Sequence, residues 1–165
     1  MKLYSIIKNN IYIMINCVYK VNFYKSTLEL SNDYEKLSDY EKDLIFDLNT
    51  ESFFDYEDEL NRYTCYLITS PIDLDKYLKI LNNNLIEYEF FDLSQPILRN
   101  EIDLEIIEDF LDSTNYFKYD FFMDDLYNWI SLNLNIDIVL DRINEVGMDN
   151  LREVELNFLK NYNNK

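Results

Sequence analysis

The sequence predicts an α+β fold: an N-terminal antiparallel or mixed sheet with packed helices, and a helical C-terminal third. Three observations predict it. A period-2 apolar run lies before residue 25, a strand-like run passes straight into a capped helix at Ser70, and apolar residues fall at helical spacing beyond Pro96. At 165 residues the chain has the size of one ordinary domain. Residues 1–165 are therefore read as a single domain, with an α+β part over 1–95 and a helical part over 96–165.

From Ile11 to Tyr24 the alternating set Ile11, Ile13, Ile15, Cys17, Tyr19, Val21 and Phe23 is wholly apolar, whereas the other set holds Asn16, Lys20 and Asn22. That pattern predicts a strand with one buried face. Residues 3–7 are placed to pair with its start through a turn at Lys8-Asn9-Asn10, and Met14 offers an alternative start that deletes this arm. Asp33-Tyr34-Glu35-Lys36 recurs as Asp39-Tyr40-Glu41-Lys42, a single echo too short for a repeat architecture. Leu37, Tyr40, Leu44, Ile45 and Leu48 predict an amphipathic helix. Residues 51–60 mix Phe53, Phe54 and Tyr56 with five carboxylates and read as a loop or short helix.

Tyr63 to Thr69 is aromatic and β-branched, and Ser70-Pro71-Ile72-Asp73 then gives a cap residue, a proline at the first helical position and an acid at the third. Leu74, Tyr77, Leu78, Leu81 and Leu85 form the stripe of the helix, and Ile86 to Phe91 alternates again, so the order is strand, helix, strand. Further on, Leu104, Ile107, Phe110 and Leu111 form one helical stripe and Phe122, Leu126, Trp129 and Ile130 another, followed by two short helices on either side of Gly147.

The segment from Ile136 to Leu151 (IDIVLDRINEVGMDNL), closing with Glu155, Phe158 and Leu159, resembles a small helical-hairpin tail found in many Bacteroidota proteins, rhomboid-type membrane proteases among them. The family pattern resembles D-x-I-L-D-K-I-x-x-x-G-x-x-S-L-T-x-x-E-x-x-F-L. The resemblance covers residues 136–159 and implies lineage and a packing module, in which Val139, Leu140, Ile143, Leu151, Phe158 and Leu159 close two helices on each other. It does not imply proteolysis, because a chain without histidine lacks that family's catalytic pair. Arg152 stands where the pattern has a capping threonine, so Asp149 or Asn150 is expected to serve as the cap.

Composition narrows the function. The chain carries 32 Asp and Glu against 15 Lys and Arg, no histidine, and a net charge of -17. Lys2, Lys8, Lys20 and Lys25 all precede the first acid, Glu29, which concentrates the negative charge beyond it. With 48% hydrophobic and 16% aromatic residues the chain should nevertheless fold. One glycine leaves no phosphate-cradling loop to write, and the absence of histidine and of a cysteine cluster removes zinc sites and histidine-activated nucleophiles. Cys17 and Cys65 read as small buried hydrophobes. No cofactor or metal is expected, and Ser70 reads as a cap and not as a nucleophile. Scattered cations argue against direct nucleic-acid binding. No apolar run is long enough to span a bilayer, and a cytoplasmic location is expected.

Carboxylates arrayed on a rigid fold can occupy a basic nucleic-acid channel as phosphates would. The expected function is therefore that of an acidic, non-enzymatic protein that inhibits a basic nucleic-acid-handling partner, a nuclease or its RNA complex. Its most concrete form is a phage anti-CRISPR acting on an RNA-guided nuclease of a Bacteroidota host. An immunity protein or antitoxin neutralising a toxin nuclease is the alternative, and an acidic housekeeping protein the plainer one. The residues expected to bind the partner are Tyr56, Glu57, Asp58 and Glu59, and the helix acids Glu101, Glu105, Glu108 and Asp112. Tyr63, Tyr66, Tyr88, Tyr116, Tyr119 and Trp129 are additional candidate aromatic anchors, several of which are expected in the core.

Overall fold

The computed structural model describes residues 16–48, 52–57, 62–102, 104 and 116–162. The expected hairpin arm at residues 3–7 and the strand positions before residue 16 lie outside them. In chain order the elements are β1 (Cys17–Phe23), α1 (Thr27–Lys36), α2 (Asp39–Leu48), β2 (Ser52–Glu57), β3 (Arg62–Thr69), α3 (Pro71–Asn83) and β4 (Glu89–Asp92). A short α4 (Ser94–Leu98), α5 (Tyr116–Asn133), α6 (Ile136–Val146), a 3₁₀ turn (Met148–Asn150) and α7 (Glu153–Tyr162) complete them. The fold is α+β, with a helical C-terminal region, as the sequence predicts.

The four strands form one sheet in the order β2-β3-β1-β4, and every neighbouring pair is antiparallel. β3, α3 and β4 therefore make a crossover whose two parallel strands are split by β1, the strand expected to share their sheet. Of residues 51–60, expected as a loop or short helix, the described 52–57 form neither. Ser52–Glu57 is an edge strand in register with β3, Tyr56 facing Tyr63 and Glu57 facing Arg62 along the backbone. Its mixture of aromatics and acids hides a period that only the neighbouring strand makes visible.

Both faces of the central strands are covered, which corrects the expectation of one buried face on β1. Tyr19, Val21 and Phe23 join Cys65 and Leu67 against Leu37 and Ile45 of the α1–α2 region and Leu74, Tyr77, Ile80 and Leu81 of α3. On the opposite face Val18, Tyr66 and Ile68 meet Ile97 and Leu98 of α4, Leu104, and Phe122, Leu126, Trp129 and Ile130 of α5. Burying one such side chain stabilises the fold by about 1.5–3 kcal/mol. Asn22 is buried on this face as well, where its side-chain oxygen accepts a hydrogen bond from Thr64 Oγ1 at 3.1 Å across the register. The sequence hides the second layer because the residues that form it lie some 75 to 130 positions away. Cys17 and Cys65 are not joined by a disulfide.

Local signals set the helix ends. Ser70 accepts from the Asp73 N–H at 3.1 Å, the cap role expected of it. The two DYEK echoes occupy opposite helix ends, one closing α1 and the other opening α2, where Ser38 and Glu41 cap each other reciprocally. A separate helix α1, capped in the same way by Ser26 and Glu29, precedes the one the sequence predicts. Leu85 leaves its expected stripe: it lies beyond α3 at φ 55° and is 87% exposed. β4 closes the sheet on one side, with Phe90 and Phe91 each about half exposed. The Leu93 N–H donates to the Val18 carbonyl at 2.8 Å, and antiparallel alternation then turns the peptide groups of Phe90 and Asp92 outward.

Among the described residues no helix is long and apolar enough to cross a membrane.

Candidate partner-binding surface

Among the described residues, most lysines of the N-terminal half are committed to nearby acids. Lys25 and Lys36 both hold Asp33, at 2.6 and 2.8 Å, Lys76 holds Asp73 at 2.7 Å, and Lys79 holds Asp75 at 2.6 Å. Asp33 and Asp73 are consequently held below the ordinary carboxylate range, each chiefly through the hydrogen bond from its lysine. Asp33, Asp73 and Asp75 are thus each answered by a lysine on the same surface.

The C-terminal layer differs. Asn135 caps α6 by accepting from the Ile138 N–H at 3.0 Å, and the helix then carries Asp137, Asp141 and Glu145 at exposed positions four residues apart. That spacing puts them on one face, with about 6 Å of rise between neighbours. All three line a polar groove of about 680 Å³ whose other wall is the end of α4 and the turn after it, with Gln95, Arg99 and Glu101. Arg142 lies in this groove with its side chain only 11% exposed and pairs with Glu145 at 3.0 Å. Arg99 reaches Glu101 at 4.0 Å with both side chains mostly in solvent, a pair of little strength. Asp137 and Asp141 have no ion-pair partner among the described residues.

Of the eight expected partner-binding residues, the structure brings Glu101 to this groove. Tyr56 and Glu57 end the edge strand β2, while Asp58, Glu59, Glu105, Glu108 and Asp112 lie outside the described residues. Asp137, Asp141 and Glu145 were not among the eight. Their spacing of four is visible in the sequence, but the segment reads there as a packing module. Of the candidate aromatic anchors, several of them expected in the core, Tyr66 and Trp129 are core residues, 8% and 6% exposed. Trp129 Nε1 donates to the Asn16 carbonyl and so fastens α5 to the start of β1.

No protein family, curated protein or solved structure matches the chain. Among the described residues no three acidic or thiol side chains are grouped as ligands of a metal ion would be.

The wall of the groove is held by a second arginine. The hairpin after α6 turns at Gly147, whose φ of 80° and ψ of 162° lie in a region essentially restricted to glycine. Arg152 then precedes α7. Its N–H donates to Glu155 Oε2 at 2.8 Å, so half of a capping box survives without the threonine hydroxyl. Asp149 and Asn150 do not cap α7, contrary to expectation; the Asn150 side chain instead donates to the Val146 carbonyl at the end of α6. The Arg152 guanidinium donates to Glu155 Oε1 and to the carbonyls of Ile97 and Leu98 at the end of α4. Val139 and Leu151 enter the core as expected of the hairpin, whereas Leu140 points outward at 47% exposure.

Proposed function

We infer that this chain is an acidic, non-enzymatic binding protein that inhibits a basic, nucleic-acid-handling partner by presenting carboxylates where phosphates would lie. One observation carries the reading: Asp137, Asp141 and Glu145 repeat along one helix face and share a groove with Glu101. Neighbouring carboxylates rise about 6 Å along the helix, which makes a regular row of negative charge. A rigid row of this kind attracts a cationic channel and releases its counterions as a nucleic acid does. The net charge of -17 supplies the long-range field, and the mostly buried Arg142 leaves the exposed side of α6 negative. The concrete form is an anti-defence protein of the anti-CRISPR kind, working in the cytoplasm against an RNA-guided nuclease.

The test is affinity capture from the native host with the full chain and with the variant Asp137→Lys/Asp141→Lys/Glu145→Lys. The expected result is a nucleic-acid-binding protein retained at about 50 mM salt, at least tenfold weaker at about 200 mM, and lost by the variant while its circular dichroism is unchanged. Retention by the variant, or a response flat in salt, overturns the reading. A captured toxin nuclease instead of an RNA-guided one identifies the chain as an immunity protein.

A further inference from the structure

The sheet ends at β4, the four residues Glu89-Phe90-Phe91-Asp92. β1 takes Glu89 and Phe91 into the ladder on one side. Among the described residues the Phe90 and Asp92 peptides, turned outward on the other side, find no hydrogen-bond partner. Each presents an N–H and a C=O, and the two residues lie about 6.8 Å apart along the strand. An extended segment completes such an edge through main-chain hydrogen bonds, and its alternate side chains then meet those of the edge strand.

The side chains decide which segment fits. Glu89 stands opposite Asn22 and Phe91 opposite Lys20, on the face covered by α5; Phe90 stands opposite Val21 and Asp92 opposite Tyr19, on the face covered by α3. Each face of the edge thus carries one half-exposed phenylalanine and one exposed carboxylate. Glu89 Oε2 accepts from the Tyr24 hydroxyl at 2.6 Å and Asp92 Oδ1 from the Ser94 N–H at 2.9 Å, contacts that orient both carboxylates without neutralising either. Neither has an ion-pair partner among the described residues, nor does the exposed Glu87 just before the strand. Lys20, in register with Phe91, lays its ammonium over the Tyr66 ring on the β3 side of β1, 5.7 Å from the centroid. Residues directly opposite on neighbouring strands share a face. The complement of acid-aromatic-aromatic-acid is therefore basic-apolar-apolar-basic, a pattern that reads the same in either direction of the added strand.

We propose that the outer side of β4 is a docking edge for an extended cationic segment of a partner protein, two apolar residues between two lysines or arginines, which adds a strand to the sheet. The edge shares no residue with the acidic groove on α6.

The probe is the peptide Gly-Ser-Lys-Val-Val-Lys-Ser-amide with fluorescein at its N-terminus, titrated into the full chain at about 150 mM salt, where charges more than about 8 Å apart are screened. Its anisotropy should rise saturably. With unlabelled peptide at about ten times its Kd, hydrogen exchange of the Phe90 and Asp92 amides should slow about tenfold, a measurement that needs no variant. N-methylation of both valines removes a main-chain donor facing the edge and should weaken binding at least roughly fivefold. The isomer with Lys-Val-Lys-Val, which puts both charges on one face, should bind more weakly than the probe. Glu87→Lys/Glu89→Lys should lose the probe and gain the peptide with glutamate in place of both lysines. The variant Asp137→Lys/Asp141→Lys/Glu145→Lys should bind the probe as the unaltered chain does. No saturable binding, unchanged exchange at Phe90 and Asp92, equal affinity of the isomer or of the N-methylated peptide, undiminished binding by Glu87→Lys/Glu89→Lys, or loss of binding by the α6 variant overturns the site. Slow exchange of those two amides without peptide, in a chain that sediments as a dimer, assigns the edge to a second copy and overturns it as well.

Discussion

The Arg152 guanidinium lies 2.7 Å from the Glu155 carboxylate, and that carboxylate is fully buried. The pair is neutralised internally and further satisfied by the Arg152 N–H and the two carbonyls that end α4. Removing one member therefore strands a charge. Glu155→Gln or Arg152→Met is expected to cost about 3 kcal/mol in urea unfolding, whereas Arg152→Met combined with Glu155→Leu should recover most of it. Equal losses for the single and double variants would show that the charge pairing is not what holds α7.

Gly147 is tested by alanine. No heavy atom lies within 4 Å of where a Cβ would stand, so the substitution meets no clash and acts through the backbone alone. The loss expected is about 1–3 kcal/mol. An unchanged unfolding midpoint for Gly147→Ala would mean that the turn adopts another conformation at no cost.

Leu85 offers the opposite sign. It closes α3 at φ 55° with its side chain in water, while Asn100 takes the same φ after α4 with a residue type suited to it. Leu85→Asn or Leu85→Gly should stabilise the protein by about 1 kcal/mol, since a leucine pays the left-handed penalty without burying anything in return. Destabilisation by either change would place Leu85 in a contact absent from this structure.

Asp33 sets part of the acid response. Lys25 and then Lys36 hold its carboxyl below the ordinary value, so its contribution is fully present above the unfolded value of about 3.9 and is lost as pH falls through the lower folded one. Asp33→Asn should cost roughly 0.5–1 kcal/mol at neutral pH, the scale of a screened pair. It should also flatten the decline of stability below about pH 4. A decline as steep as that of the unaltered chain would exclude the assignment.

What could be read from the sequence was what neighbouring residues decide. Ser70, Pro71 and Asp73 mark the start of α3 because a cap, a fixed φ and an early acid all act within one turn. Gly147 marks the hairpin for a similarly local reason. The second covered face of β1 escaped because Val18 meets α5 more than 100 residues later. Arg152 escaped because its value depends on carbonyls 54 and 55 positions back, not on the capping pattern beside it. The candidate groove divides in the same way. The spacing of Asp137, Asp141 and Glu145 is written in the chain, but their meeting with Glu101 is a product of how α6 is set beside α4.

Among the described residues β4 stands at the edge of the sheet, and this gives the acidity another meaning. Its outward peptide groups and two half-exposed phenylalanines form a surface that a strand from a second molecule could extend. Glu87, Glu89 and Asp92 stand exposed along the same short stretch. Two such edges approaching each other would bring like charges together before their backbones could pair. Like charges at that edge would oppose such pairing whether or not any partner is present.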